Sequence, residues 1–71
     1  MKIPDYVSRT AMCALIDEWV IGNNGERNRK IMKRRLIDGI CIEPLAEEFE
    51  MSVRQINDII RACEARISPH I

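Results

Sequence analysis

Five side chains in the C-terminal third of the sequence have the chemistry needed to recognise the edges of DNA bases. They are Val53, Arg54, Asn57, Asp58 and Arg61. Arginine can donate two hydrogen bonds to guanine, asparagine can pair with adenine, aspartate can accept from cytosine, and valine can contact the thymine methyl group. At about 100° per residue these positions share one arc of a helix. The spacing predicts a base-reading face, although a simple solvated helix surface has the same pattern.

A second group of side chains, upstream of the first, could bind the phosphates of the same duplex. Six cations fall within the nine residues 27–35. On a helix four of them would lie on the outer side, and a serine hydroxyl at the start of the last helix could join them. The predicted phosphate-contacting residues are Arg27, Lys30, Lys33, Arg34 and Ser52. The alternative is that these cations only keep the helix soluble.

Four helices are predicted to position these side chains. Asp5 is a suitable N-cap for the first, and Gly39 is suited to the left-handed conformation that closes the second. Ser52 followed by Gln55 predicts a capping box at the start of the fourth. The short loops predict one all-α domain over residues 1–71 with a C-terminal helix-turn-helix. The predicted helices cover residues 5–21, 26–38, 42–49 and 53–67.

The apolar residues of the last two helices have the spacing of a helix-turn-helix core. A small residue, Ala46, stands where two helices would cross closely, and five larger apolar residues surround it. Those five are Leu45, Phe49, Met51, Ile56 and Ile59. With the upstream run from Arg29 to Gly39, residues 26–67 resemble region four of sigma-70 factors and related small phage and bacterial regulators. The resemblance implies sequence-specific binding to double-stranded DNA through the last helix.

The sequence departs from that family at identifiable positions. Glu50 stands at the turn position usually given to glycine, where a left-handed backbone would cost about 1 kcal/mol, so either the turn is slightly altered or the strain is tolerated. Cys41 replaces the usual hydroxyl-bearing N-cap of the third helix. The family reads promoter bases with Arg, Glu, Arg and Gln, and the corresponding residues here are Val53, Arg54, Asn57 and Asp58. The resemblance therefore does not supply the DNA sequence that would be bound.

The first helix carries more apolar residues than one neighbouring helix would cover. Cys13, Ile16 and Val20 form one stripe with Tyr6, and a second stripe lies beside it. An exposed apolar stripe usually marks an interface, so the second stripe predicts a homodimer contact. Pairing would also double the DNA contacts of a small domain. The predicted interface residues are Met12, Leu15 and Trp19.

Composition excludes several other classes of protein. Of 71 residues 46% are hydrophobic and 31% charged, which is typical of one folded domain, and no apolar run is long enough to span a membrane. The N-terminal residues do not have the plan of a secretory signal, so a cytoplasmic protein is expected. Three scattered cysteines and one histidine predict reduced, largely buried thiols and no metal site. We expect no cofactor, no small-molecule substrate and no enzymatic activity, because no catalytic motif is present.

Two functions remain. The first is a transcriptional regulator that binds double-stranded DNA. The alternative is a protein-interaction module that docks on RNA polymerase, a sigma factor or another regulator through the acidic third helix and the apolar first helix. The formal net charge of zero favours the alternative, because nucleic-acid binding domains are usually basic.

The sequence also predicts one contact within the fold. Arg35 should point toward the apolar side of its helix and pair with Glu47 or Glu48.

Overall fold

Helices make up the regular structure of residues 5–71, the part of the chain that the computed structural model describes. These residues contain no strand, and their radius of gyration, 11.3 Å, is close to the value of about 11 Å expected for one domain of this size. The predicted all-α domain of four helices is confirmed. Residues 1–4, on which much of the prediction about a secretory signal rests, lie outside the described range. The helices are α1 (Arg9–Trp19), α2 (Gly25–Leu36), α3 (Ile42–Glu48) and α4 (Val53–Ile67), followed by a 3-10 turn at Ser68–His70.

The first helix is shorter than the sequence predicts. It begins at Arg9, not Asp5, because Ser8 is the N-cap and its hydroxyl accepts a hydrogen bond from the Ala11 N–H at 3.1 Å. Tyr6 therefore lies outside the helix and is 78% exposed, so its assignment to an apolar stripe was wrong. At the other end the helix stops at Trp19, with Val20 as its C-cap.

The bounds of the other helices differ from prediction by two residues or fewer. Helix α2 ends at Leu36 because the Asp38 and Ile40 N–H groups turn back to the carbonyls of Lys33 and Arg34. Gly39 in this turn has φ +71°, the left-handed conformation expected of it. Helix α3 ends one residue early, at Glu48, and α4 covers the predicted residues 53–67.

Helix α4 supplies the largest share of the core. Ile56, Ile60, Cys63 and Ile67 recur at helix spacing and are all buried, so one stripe of α4 faces the other helices. It packs against α1, α2 and α3. Burial on this side leaves the opposite arc of α4 free to face solvent. The other buried apolar side chains are Met12, Ile16, Val20, Ile31, Met32, Leu45 and Ala46.

The second apolar stripe of α1 is largely covered by the chain itself. Met12 is fully buried in the core, so its assignment to a dimer interface was wrong. The C-terminal residues fold back over α1, and the His70 ring stacks on the Trp19 indole with ring centroids 3.6 Å apart. Leu15 and Trp19 are half-buried and pack against the core. Long-range packing of the C-terminal segment explains the difference, since helix periodicity carries no information about it.

Candidate functional site

The turn between α3 and α4 has the hydrogen bonds of a Schellman motif. The Met51 N–H donates to the Ala46 carbonyl at 2.8 Å and the Glu50 N–H donates to the Glu47 carbonyl at 3.3 Å. Glu50 has φ +54°, so of the two alternatives the turn keeps the left-handed backbone and the strain is tolerated. Two hydrogen bonds and the buried Ala46 therefore set the angle at which α4 leaves α3.

The N-terminus of α4 is fixed by the predicted capping box. The Ser52 hydroxyl accepts from the Gln55 N–H at 3.1 Å, and the Gln55 side-chain oxygen accepts from the Ser52 N–H at 2.9 Å. The first turn of α4 is thus rigid. A hydroxyl that accepts here still has its own hydrogen to donate, so the cap leaves Ser52 able to contact an anion.

The outer arc of α4 brings together the five residues predicted to read bases. Arg54, Asp58 and Arg61 are exposed, Val53 is 43% exposed, and Asn57 is half-buried at the flank of the arc. Arg54, Asp58 and Arg61 form no ion pair with any described residue, although neighbours of opposite charge lie one helical turn away. Their hydrogen-bonding groups are therefore directed to solvent and available to a ligand.

The cations of α2 are differently placed, because three of them have acidic partners. The Lys33 ammonium lies 2.7 Å from the Asp17 carboxylate of α1. Arg34 bridges two acids, with its guanidinium 2.7 Å from Glu48 and 3.1 Å from Asp38. The weakest pair joins Lys30 to Glu26 at 3.7 Å. The basic run is consequently much less positive than its sequence suggests.

The Arg34 network also corrects a predicted contact. The expected partner of Glu48 was Arg35, but Arg34 donates two hydrogen bonds to that carboxylate. Hydrogen bonds to Glu48 and then to Asp38 are the main causes that raise the pKa of Arg34. Arg35 instead donates one long hydrogen bond, 3.4 Å, to the Ile40 carbonyl. The angular difference of about 100° between adjacent residues decides which of them faces α3.

Two depressions flank the N-terminal half of α2, and neither is visible in the sequence. The larger is an open cleft of about 620 Å³ between the first turns of α2 and the ring of Phe49. The smaller, about 380 Å³, lies between the α1–α2 loop and α4, and Asp58 and Cys63 line it. Gly22 borders both. A cleft between elements distant in sequence depends on how they cross, which no local pattern records.

The side of the molecule formed by α3 and the turn is acidic. Glu43, Glu47 and Glu50 are exposed and form no ion pair within residues 5–71. A negative surface therefore borders the outer arc of α4 on this side.

At the start of α3, Pro44 occupies the first turn, and Cys41, as expected, provides no side-chain cap.

The described residues include no group of histidine, cysteine, aspartate or glutamate that could hold a metal ion. The three cysteines are free, but only Cys63 is buried, Cys13 is half-buried and Cys41 is exposed. The prediction of largely buried thiols was therefore wrong for Cys41, which stands at the surface N-cap of α3. Burial raises the pKa of the Cys63 thiol.

No helix within residues 5–71 is long and apolar enough to cross a membrane.

No family model, no curated protein and no solved structure matches this chain. The resemblance to region four of sigma-70 factors rests on the residues and their spacing alone.

Proposed function

We propose that this protein is a helix-turn-helix regulator that binds double-stranded DNA in a sequence-specific manner, with α4 in the major groove. The observation that carries the proposal is the outer arc of α4, where Arg54, Asp58 and Arg61 are exposed and unpaired. Residues three or four apart on a helix can form ion pairs, and Arg54, Asp58 and Arg61 have this spacing without pairing. Here the charged groups are left for a ligand.

The dimensions of α4 support the same conclusion. A helix with its side chains is about 10–12 Å in diameter, which fits the major groove, about 12 Å wide. Along its axis, the 15 residues of α4 span roughly 22 Å at 1.5 Å per residue. The capped N-terminal half carries four of the five predicted readout residues and can enter the groove while the C-terminal half remains packed in the domain. Arg54 and Arg61 suit guanine, Asn57 suits adenine, Asp58 suits cytosine and Val53 suits the thymine methyl group.

Substitution of the two central donors tests the proposal. Because Arg54 is exposed and the half-buried Asn57 lies outside the apolar core, Arg54→Ala and Asn57→Ala should each lower specific affinity by about 1–3 kcal/mol while leaving the helical content unchanged. The preferred duplex is first selected from a random DNA library, and binding is then followed by fluorescence anisotropy.

Arg9→Ala is the matched control, because it removes the same guanidinium from an exposed position at the start of α1. It should keep the ratio of specific to non-specific affinity at the wild-type value. If the α4 variants bind the selected duplex as tightly as the control does, α4 is not the reading helix.

We further propose that two copies act together on paired half-sites in the cytoplasm. A single domain of this size makes few base and phosphate contacts, and a two-fold pair would double them about one helical turn apart. Of the predicted interface, Leu15 and Trp19 remain partly accessible. Sedimentation at micromolar concentration tests the pairing, and a monomeric mass both with and without DNA would exclude it.

The acidic surface favours a second candidate function. The exposed carboxylates of Glu43, Glu47 and Glu50 would repel the phosphates of DNA lying against α3 and would suit a basic protein surface. The partner could be RNA polymerase, a sigma factor or another regulator. Binding to random duplex DNA across a salt series separates the two functions, because phosphate contact makes affinity fall steeply with salt. Absence of any salt-dependent DNA binding would favour the protein partner.

A further inference from the structure

Four cations of α2 were expected to contact phosphate, but their surroundings divide them into two groups. Lys33 and Arg34, in the C-terminal half, are bound to carboxylates at 2.7 Å. Arg27 and Lys30, in the N-terminal half, line the 620 Å³ cleft beside Phe49. Lys33 and Arg34 line a smaller cavity of about 260 Å³ with Lys30, but the Glu48 carboxylate that pairs with Arg34 also lines that cavity. An anion approaching the first group would have to compete with a carboxylate already in place.

The cleft itself has the chemistry of a phosphate-binding surface. Three cationic side chains line it, Arg27, Arg29 and Lys30, against a single carboxylate, Glu26. The Lys30 ammonium is 66% exposed and lies 3.7 Å from that carboxylate, which is a weak pair in water. The Arg27 guanidinium donates only to the side-chain oxygen of its neighbour Asn28. Both cations can therefore turn toward an anion without breaking a strong ion pair.

Arg29 has a structural part in this cleft. One of its guanidinium nitrogens donates to the Val20 carbonyl at 2.8 Å, which ties the start of α2 to the end of α1. That hydrogen bond uses one donor and leaves the positive charge beside the cleft. Its role in the fold makes it unsuitable for a test by substitution.

The cleft is next to the proposed reading helix. Phe49, which lines one side, is the C-cap of α3 and the first residue of the turn that leads into α4. Gly22 borders both this cleft and the groove that Asp58 of α4 lines. The C-terminal half of α2 is instead near the acidic residues Asp38 and Glu48. A duplex that avoids those acids would place its backbone over the N-terminal half.

We propose that this cleft binds the backbone phosphates of the duplex whose bases α4 reads, and that Lys33 and Arg34 make no phosphate contact. The proposal rests on the proposed function and adds the orientation of the DNA. The backbone runs past the α1–α2 loop and the start of α2, beside Phe49, and the ion pairs of Lys33 and Arg34 hold α2 to α1 and α3.

Two double variants with the same change in charge test the proposal. Arg27→Ala/Lys30→Ala removes the cleft cations, and Lys33→Ala/Arg34→Ala removes the paired ones, so net charge falls equally in both. Each phosphate contact contributes about 0.9 to the slope of log affinity against log salt. With random-sequence duplex, Arg27→Ala/Lys30→Ala (the cleft variant) should reduce the magnitude of this slope by about 1.8. Lys33→Ala/Arg34→Ala (the paired variant) should keep the wild-type slope. Circular dichroism confirms folding, and Arg27→Gln/Lys30→Gln serves if the alanine pair unfolds.

The outcomes distinguish this proposal from the proposed function. If wild type binds DNA with a steep salt dependence but the cleft variant keeps the full slope, or both variants lose slope equally, the cleft assignment is wrong and DNA binding stands. If wild type shows no salt-dependent binding, the proposed function fails and the cleft assignment fails with it. A final experiment titrates inorganic phosphate into the wild-type protein at fixed ionic strength and measures whether the cleft binds a free anion. Saturable binding that the cleft variant loses, without a change in DNA slope, would assign the cleft to a free anion instead.

Discussion

Replacing Glu50 with glycine should stabilise the protein, although no contact is gained. Glu50 has φ +54° in the turn between α3 and α4, and its exposed side chain makes no hydrogen bond or ion pair with the described residues. A side chain in the left-handed region costs about 1–2 kcal/mol, which glycine avoids. Glycine also gives the unfolded chain more freedom, which offsets about 0.4–1 kcal/mol of that gain.

Subtracting the two ranges gives a net increase in the free energy of unfolding of about 0–1.6 kcal/mol, centred near 0.8 kcal/mol. For a domain of this size each kcal/mol raises the melting temperature by about 4–8 °C, so the central value corresponds to a rise in Tm of roughly 3–6 °C. Thermal unfolding followed by circular dichroism at 222 nm measures the shift, and urea unfolding gives the free energy.

Glu50→Ala is the matched control, because it removes the same carboxylate and keeps the Cβ atom that causes the strain. The backbone effect is the difference between the glycine and alanine variants, which share any loss of charge interaction with the start of α4. Asn24→Gly is a second control at φ +61°, and it should gain less because asparagine tolerates this conformation. If Glu50→Gly is no more stable than Glu50→Ala, the turn is not strained and the reasoning is refuted.

Three further predictions follow from burial. Ala46→Leu should lower the free energy of unfolding by about 1–3 kcal/mol, because Ala46 is 6% exposed in the core between α3 and α4 and a larger side chain overpacks it; an unchanged urea midpoint would contradict this packing. Iodoacetamide should modify the exposed Cys41 before the buried Cys63, whose raised pKa keeps it protonated in the folded state, and mass spectrometry of the digested protein would show the order. For the same reason the folded state should lose stability as pH rises above the ordinary thiol pKa of about 8.5, where only the unfolded state releases the proton; Cys63→Ala should lack this loss.

The local predictions for the end of α2 and for α4 agree with the structure, whereas the predicted N-cap of α1 at Asp5 does not. The capping box of Ser52 and Gln55, the left-handed conformation of Gly39 and the extent of α4 all depend on atoms within a few positions along the chain. The outward arc of Arg54, Asp58 and Arg61 follows from helix periodicity once the buried stripe is known. The sequence by itself thus determined the four helices and the face of α4 that is proposed to read DNA.

The tertiary structure decided the contacts between elements distant in the chain. Ser8, not Asp5, is the N-cap of α1, and Met12 is the first residue of that helix to be buried. Met12 proved to be buried, and His70 covers Trp19 from a segment about fifty residues away. Arg34, not its neighbour, reaches Glu48, since helix crossing angles select one of two adjacent side chains. The packing of the helices therefore decides which cations form ion pairs and which line a cleft. Charge pairing depends on distances in space, and the local sequence does not contain those distances.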